Sequence, residues 1–252
     1  MLHVSYATTP APGAVNEDYV IAGPAWVAVL DGATAPRGVA SGCVHDVPWL
    51  VRTLARAVME RVEGADPLTE VLAGAIAATM GAHAGTCDLA HPHSPSSTIS
   101  ILRRTGDRLD YLVLCDSPIS VLRADGSVEV IHDDRTDHLL GGRPYSLELV
   151  ESSRNRPGGF WVASTDPAAA FEALTGAVAV AGVRGVGMFT DGVTRLVDWY
   201  GRSWAELTAS ASESGPASLL AQVRAAEQAH GTPRPGKLHD DATAAWVAPV
   251  NA

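Results

Sequence analysis

Apolar residues run almost unbroken through positions 25–30, 111–115 and 186–190, and each run ends on an aspartate: Asp31, Asp116 or Asp191. A fourth run, 242–247, starts directly after Asp240 and Asp241. Short apolar runs bounded by turn residues predict buried strands. Residues 3–7 alternate in strand fashion and are expected to pair with 20–21 and 25–30. Strands are also predicted at 98–103, 109–115, 119–123 and 128–132, with Thr105-Gly106-Asp107 and Ala124-Asp125-Gly126 as hairpin turns. Shorter strands are expected at 160–163, 177–181 and 186–189.

Helical spacing dominates elsewhere. Between 40 and 62, Val44, Val47, Leu50, Val51, Leu54, Val58 and Val62 recur on one face. Asp66-Pro67 and Asp166-Pro167 each offer an N-cap followed by proline at the first helical position, predicting helices to about residues 84 and 174. Further helices are predicted at 193–200, 203–210 and 216–230, whereas 136–150 carries no clear period. This order is not the regular alternation of a parallel sheet, and it predicts the α+β class. With so many strands to bury, the expected architecture is a four-layer α-β-β-α sandwich, two mostly antiparallel β-sheets flanked by helices. Nothing between the aspartate runs resembles a linker, so residues 1–252 are expected to form a single domain.

Hydrophobic residues make up 46 % of the chain, ample for a core. The formal charge of −10 argues against nucleic acid as a partner, since a phosphate backbone needs a basic face. It leaves a phosphorylated substrate open, because bound cations reverse the local sign of an acidic site. Cys43, Cys87 and Cys115 are odd in number and widely spaced, so no disulfide framework is implied, and Cys115 reads as a buried thiol. There is neither an apolar stretch of about 18 residues nor a basic-then-apolar leader. No membrane partner and a cytoplasmic location are therefore expected; oligomeric state has no signal in the sequence.

Carboxylates at the mouths of buried strands are costly to hold together unless something positive sits between them. Asp18, Asp31, Asp191 and Asp240, if gathered, offer oxygen ligands of the kind that suit Mg²⁺ or Mn²⁺. Two such ions about 4 Å apart activate a shared water and clamp a phosphoryl group. Glycines follow Asp31 and Asp191, where a sharp turn would bring a carbonyl or a water close to a metal.

Asn16-Glu17-Asp18, Asp31-Gly32, Ser97-Thr98, Cys115-Asp116-Ser117, Thr190-Asp191-Gly192 and Asp240-Asp241-Ala242-Thr243 stand in the order seen in the metal-dependent, type 2C serine/threonine protein phosphatases. Each motif alone is weak; six in order are specific, and the chain resembles bacterial members of that family over about residues 3–248. The resemblance implies hydrolysis of phosphoserine or phosphothreonine in a phosphorylated protein substrate by water activated on two metal ions, with no covalent phospho-enzyme. It implies that Asp31 bridges both metals, that the Gly32 carbonyl binds one of them, and that Asp191 and Asp240 complete one shell. Glu17 and Asp18 would serve the other ion through waters. Asp116, with Asp191, would hold a third, weaker ion. Thr98 and Thr243 would be structural neighbours.

The departures are specific. Gly13 stands where the family carries a phosphate-gripping arginine, Ala33 where some eukaryotic members hold a histidine, and Pro118 where an arginine usually follows Asp-Ser. The glycines that usually follow Asp-Gly are missing, and Arg37 is the candidate to restore the lost charge. These losses motivate two alternatives: a pseudophosphatase that binds without turnover, or a phosphatase of small phosphorylated metabolites. Taken singly, Asp31 and Asp191 would be turn residues, Asp116 a bend cap and Glu17 a surface acid. Asp241 reads as a hydrogen-bonding neighbour. Cys87, His91 and His93 suggest zinc, but without a recognised spacing or a fourth local ligand they read as incidental loop residues. Trp26, Trp161 and Trp246 are expected in the core.

Overall fold

A computed structural model describes residues 1–33, 38–140, 145–233 and 237–250. Among the described residues ten strands form two five-stranded sheets, β1-β10-β9-β6-β7 and β2-β3-β4-β5-β8, and each pairing of these strands is antiparallel. In the first, β1 (Leu2–Thr9), β6 (Ile119–Arg123), β7 (Val128–Ile131), β9 (Val183–Phe189) and β10 (Ala242–Pro249) lie together. The second holds β2 (Tyr19–Gly23), β3 (Trp26–Ala33), β4 (Ser96–Thr105), β5 (Arg108–Leu114) and β8 (Leu174–Ala179).

Period-2 alternation divides each central strand between two apolar layers. Trp26, Ala28 and Leu30 of β3 face α1 (Val47–Met59) and α2 (Leu68–His83), while Val27 and Val29 pack against Met188, Ala245 and Val247 of the other sheet. On the far side, Phe189, Ala244 and Trp246 bury against α4 (Asp191–Asp198), α5 (Trp204–Glu213) and α6 (Pro216–His230). A short α3 (Leu147–Ser153) precedes a 3₁₀ turn, Pro167–Glu172. Layers thus follow in the order helix, sheet, sheet, helix, the expected four-layer α-β-β-α sandwich. Strands buried on both faces explain the unbroken apolar runs. Trp26, Trp161 and Trp246 are all buried.

Several local expectations are corrected. The first strand does not join 20–21 and 25–30: β1 pairs along its whole length with β10, while β2 and β3 form a hairpin in the other sheet. Helix α1 starts at Val47 rather than near residue 40, because the Asp46 side chain accepts from the Trp49 amide and proline occupies the first turn. The cap of α2 is Pro67, without a side-chain bond; the Asp66 carbonyl is taken by Arg103. The stretch 160–163 makes only isolated bridges, Ser97 to Ala163 and Arg154 to Phe160. Among the described residues no helix is long and apolar enough to cross a membrane.

Candidate metal centre

The predicted ligands collect at one rim, where strands of both sheets end. Asp31 lies in β3, across from Thr98 of β4, and Asp18 precedes β2, so this pair belongs to the second sheet. Asp191 opens α4 just beyond β9, and Asp240 precedes β10, so this pair belongs to the first. Asp116 sits in the four-residue hop from β5 to β6 that carries the chain between sheets. Asp31 is in electrostatic contact with Asp18, Asp191, Asp116 and Asp240. Burial, then these carboxylates in that order, hold Asp31 well above the usual carboxylate range.

Asp18 is 4 % exposed. Burial pushes it up to about 8, against the hydroxyls of Thr243 and Thr190 and with added repulsion from Asp191 and Asp241. Its Oδ2 accepts from Thr190 Oγ1 at 2.9 Å, while Oδ1 is buried with no hydrogen-bond partner among the described residues. Burial and Asp191 raise Asp240, against Lys237 and Arg195. An orphaned carboxylate oxygen beside raised aspartates, in an all-oxygen donor set, fits a hard divalent cation.

The shell that holds these groups is built locally. Asp241 accepts from the Ala11 amide at 2.7 Å and the Glu17 amide at 2.6 Å, tying the Asn16-Glu17-Asp18 segment to the start of β10. The Glu17 carbonyl takes the Gly32 amide at 3.1 Å, which joins Glu17 to β3. Gly32 and Gly192 are needed for closeness rather than for a sharp turn. A Cβ on Gly32 would sit 2.3 Å from Val47 Cγ1, and one on Gly192 1.8 Å from the Asp241 carbonyl oxygen. Neither takes positive φ, so the turn expected from sequence is replaced by tight packing. Cys115, by contrast, is a non-glycine residue at φ 66°, fixed by its amide's bond to Asp133 Oδ2 at 2.9 Å. Asp133 is in turn gripped by Arg135 through both oxygens, at 2.7 and 2.6 Å. The Ser117 and Thr98 hydroxyls bond at 2.5 Å and anchor the other side of Asp116. Behind Asp191 the Thr190 amide donates to the Thr243 carbonyl and the Thr243 amide donates to the Thr190 hydroxyl, each at 3.0 Å.

Sequence reasoning missed the cations of this region. Arg195 is buried, bonds Glu227 Oε1 at 2.9 Å and Asp240 Oδ2 at 3.2 Å, and lies 4.4 Å from the Trp199 ring. Glu227, 1 % exposed, is also bound by Arg224 at 2.9 Å and His239 at 2.6 Å. The available signal was an acid continuing the Leu219, Leu220, Val223 stripe of α6. Lys237 lies 3.6 Å from Asp240, and its charge also faces Glu17, Asp191 and Asp31. Arg37 lies outside the described residues, and Gly13 sits in a turn where an added Cβ would meet nothing within 4 Å among the described residues. Asp116 and Asp191 line one small cleft with His132, Asp137, Asp198 and Trp199.

An antiparallel double-sheet sandwich with a crowded carboxylate rim suits a metal-dependent phosphoester hydrolase. The family model for protein phosphatase 2C matches residues 11–225, and the chain belongs to that family of protein serine/threonine phosphatases, which depend on divalent metal and act on phosphorylated proteins. Solved structures share the fold. The Mycobacterium tuberculosis serine/threonine phosphatase PstP/Ppp is 19 % identical, with 98 % of each chain covered and a TM-score of 0.62. Stp1 of Staphylococcus aureus is 13 % identical over 100 % of this chain and 96 % of its own, with a TM-score of 0.64. A PstP catalytic domain in complex with two manganese ions is 18 % identical over 99 % of both chains, with a TM-score of 0.57. No curated protein matches significantly.

Proposed function

We propose that the chain removes phosphate from phosphoserine and phosphothreonine in proteins, acting in the cytoplasm through a pair of divalent ions, Mn²⁺ or Mg²⁺. Asp31, Asp191 and Asp240 would be the direct ligands, with Glu17, Asp18 and the Gly32 carbonyl contributing, and Asp116 with Asp191 would hold a third, weaker ion. The observation that carries this reading is Asp18: a carboxylate 4 % exposed, one oxygen unpartnered among the described residues, facing Asp191 and Asp31. The manganese in the PstP catalytic domain supports the choice of ion. When bound, such ions supply Lewis-acid charge that activates water and neutralises a phosphoryl group.

The residues of the chain do the positioning. Asp241 and Thr190 hold the Asn16-Glu17-Asp18 segment against both sheets. Arg195 and Glu227 fix Asp240 in place. Lys237, exposed and facing four carboxylates, is the described cation placed to meet a substrate phosphate where the family arginine is replaced by Gly13.

The test is hydrolysis of p-nitrophenyl phosphate and of a phosphothreonine peptide by purified protein with Mn²⁺. Activity should require the ion and be lost in Asp31→Asn and Asp191→Asn. Persistence in both variants would overturn the mechanism. Calorimetric Mn²⁺ binding without turnover of any phosphoester would identify a pseudophosphatase, and turnover of small phosphorylated metabolites alone would redirect the substrate class.

A further inference from the structure

Away from the acidic rim, Cys43, His45, His83 and Cys87 bring four donor atoms within 4.8 Å of one another. We propose that these residues form a second metal site, a closed four-ligand Zn²⁺ site that staples the segment leading into α1 to the C-terminal turn of α2. It is independent of the oxygen-ligand centre and draws on softer donors. His91 and His93, read from the sequence as incidental loop residues beside Cys87, do turn elsewhere. His93 Nε2 pairs with Glu151 at 2.7 Å, and His91 Nδ1 accepts the His93 amide at 3.2 Å.

The distances are those of a tetrahedron nearly assembled. Zinc bonds of about 2.3 Å to sulfur and 2.0–2.1 Å to nitrogen place tetrahedral S···N edges near ~3.6 Å and the S···S edge near ~3.8 Å. Cys43 Sγ lies 3.7 Å from His45 Nδ1 and 3.6 Å from His83 Nδ1, and Cys87 Sγ lies 3.4 Å from His45 Nδ1. The two sulfurs are 2.9 Å apart, well beyond the ~2.05 Å of a disulfide bond. Zinc entry requires them to spread by less than about 1 Å. A disulfide would leave both imidazoles without a role. His83 makes the point strongly: it is 1 % exposed, its Nδ1 faces a sulfur, and its Nε2 has no partner among the described residues.

The backbone presets the cluster. The Asp88 amide donates to the Gly42 carbonyl at 2.8 Å, joining the neighbours of Cys87 and Cys43. The Val44 amide donates to Cys87 Sγ at 3.4 Å, as thiolate ligands are commonly supported. The Cys87 amide returns to the His83 carbonyl at 3.1 Å, so His83 and Cys87 share one turn. Trp49, positioned by the Asp46 cap, stacks on His45 with ring centroids 3.8 Å apart at 17°. Two residues past His45, Val47 packs on Gly32, beside Asp31. The staple therefore anchors the stretch that backs the catalytic aspartate. Both sulfurs bind as thiolates, any thiol proton leaving to solvent, and four protein ligands leave no open position, which marks a structural site.

The full-length chain, reduced and stripped with chelator, is titrated with Co²⁺. The expected result is tetrahedral visible bands and a sulfur-to-cobalt charge-transfer band that saturates at one ion per chain and disappears on adding Zn²⁺. The oxygen-ligand centre has no thiolate and cannot give that band. Cys87→Ser should lose tight zinc retention, measured by elemental analysis after dialysis. Should that variant fold poorly, His45→Cys keeps four ligands and should strengthen the charge-transfer band from two thiolates' worth to three. Absence of the band in folded, reduced protein overturns the site. So does a band unchanged in His45→Cys.

Discussion

The acidic rim and the thiol–imidazole cluster are both collections of ligand-type side chains, yet they behave oppositely when empty. At the rim, Asp18 and Asp31 are driven above their normal range by burial and by neighbouring carboxylates, so the empty site is under electrostatic load. At the cluster, amide-to-carbonyl and amide-to-sulfur bonds hold two sulfurs and two imidazoles together, with no crowd of carboxylates to repel one another. The lesson is that one site needs a cation to be tolerable, whereas the other merely welcomes one. Donor chemistry then sorts the ions, oxygen for hard divalent cations and sulfur with nitrogen for zinc.

The strongest way to break this contrast is at its centre. Asp31→Asn should lower kcat/KM by about 10³-fold or more, roughly 4 kcal/mol of transition-state stabilisation. The same substitution should raise the melting temperature of the metal-free protein, because it removes a buried carboxyl that must either stay charged in the crowd or take up a proton on folding. Steady-state kinetics and thermal scans with and without Mn²⁺ check both signs, and a less stable metal-free variant would refute the loaded-site picture.

Next in size is Glu227→Ala. It strands Arg195, a buried guanidinium, and should cost about 3–5 kcal/mol in chemical denaturation. Because Asp240 would then be the one acidic partner left to Arg195 among the described residues, Mn²⁺ affinity should weaken along with stability.

A pH series sharpens the comparison further. Asp18 titrates at about 8 in the cation-free fold instead of 3.8. Between those values the folded chain holds a proton the unfolded chain has lost, so stability of the metal-free protein falls as pH rises from 3.8 to about 8 and is unaffected by this group below that window. Mn²⁺ affinity should rise over the same window, by about tenfold per pH unit for each proton displaced. Calorimetry at several pH values reads the slope; a flat profile would show the rim aspartates already ionised. The smallest effect is expected from Lys237→Ala, an exposed cation, whose loss should raise KM for a phosphopeptide by about 3- to 10-fold with kcat little changed.

Much of this molecule was legible from local pattern. The doubly buried strands announce themselves as apolar runs, and α6 begins at Pro216 and stops before Gly231, as its sequence predicts. What stayed hidden was long-range. The partner of β1 is β10, at the other end of the chain, and no periodicity in residues 3–7 distinguishes it from the nearby β2. The rim aspartates could be proposed because each sits at or near the end of a strand-like stretch of the sequence. Arg195 and Glu227 could not, since a charge inside a helical stripe has no local mark of its partner 32 positions away. The cysteine cluster was missed for the same reason, its ligands being drawn from two segments about 40 positions apart. The glycines after Asp31 and Asp191 were correctly singled out for the wrong cause, being demanded by neighbours' atoms rather than by their own torsions.

Asp18 and Asp31 ride on one sheet and Asp191 and Asp240 on the other, so the gap between the layers, filled by Val27, Val29, Met188 and Val247, acts as a gauge block for the ligands. Mn²⁺ affinity then becomes a ruler for interlayer distance. Hydrostatic compression, or trimming Met188 to alanine, should register in ion binding well before either sheet comes apart.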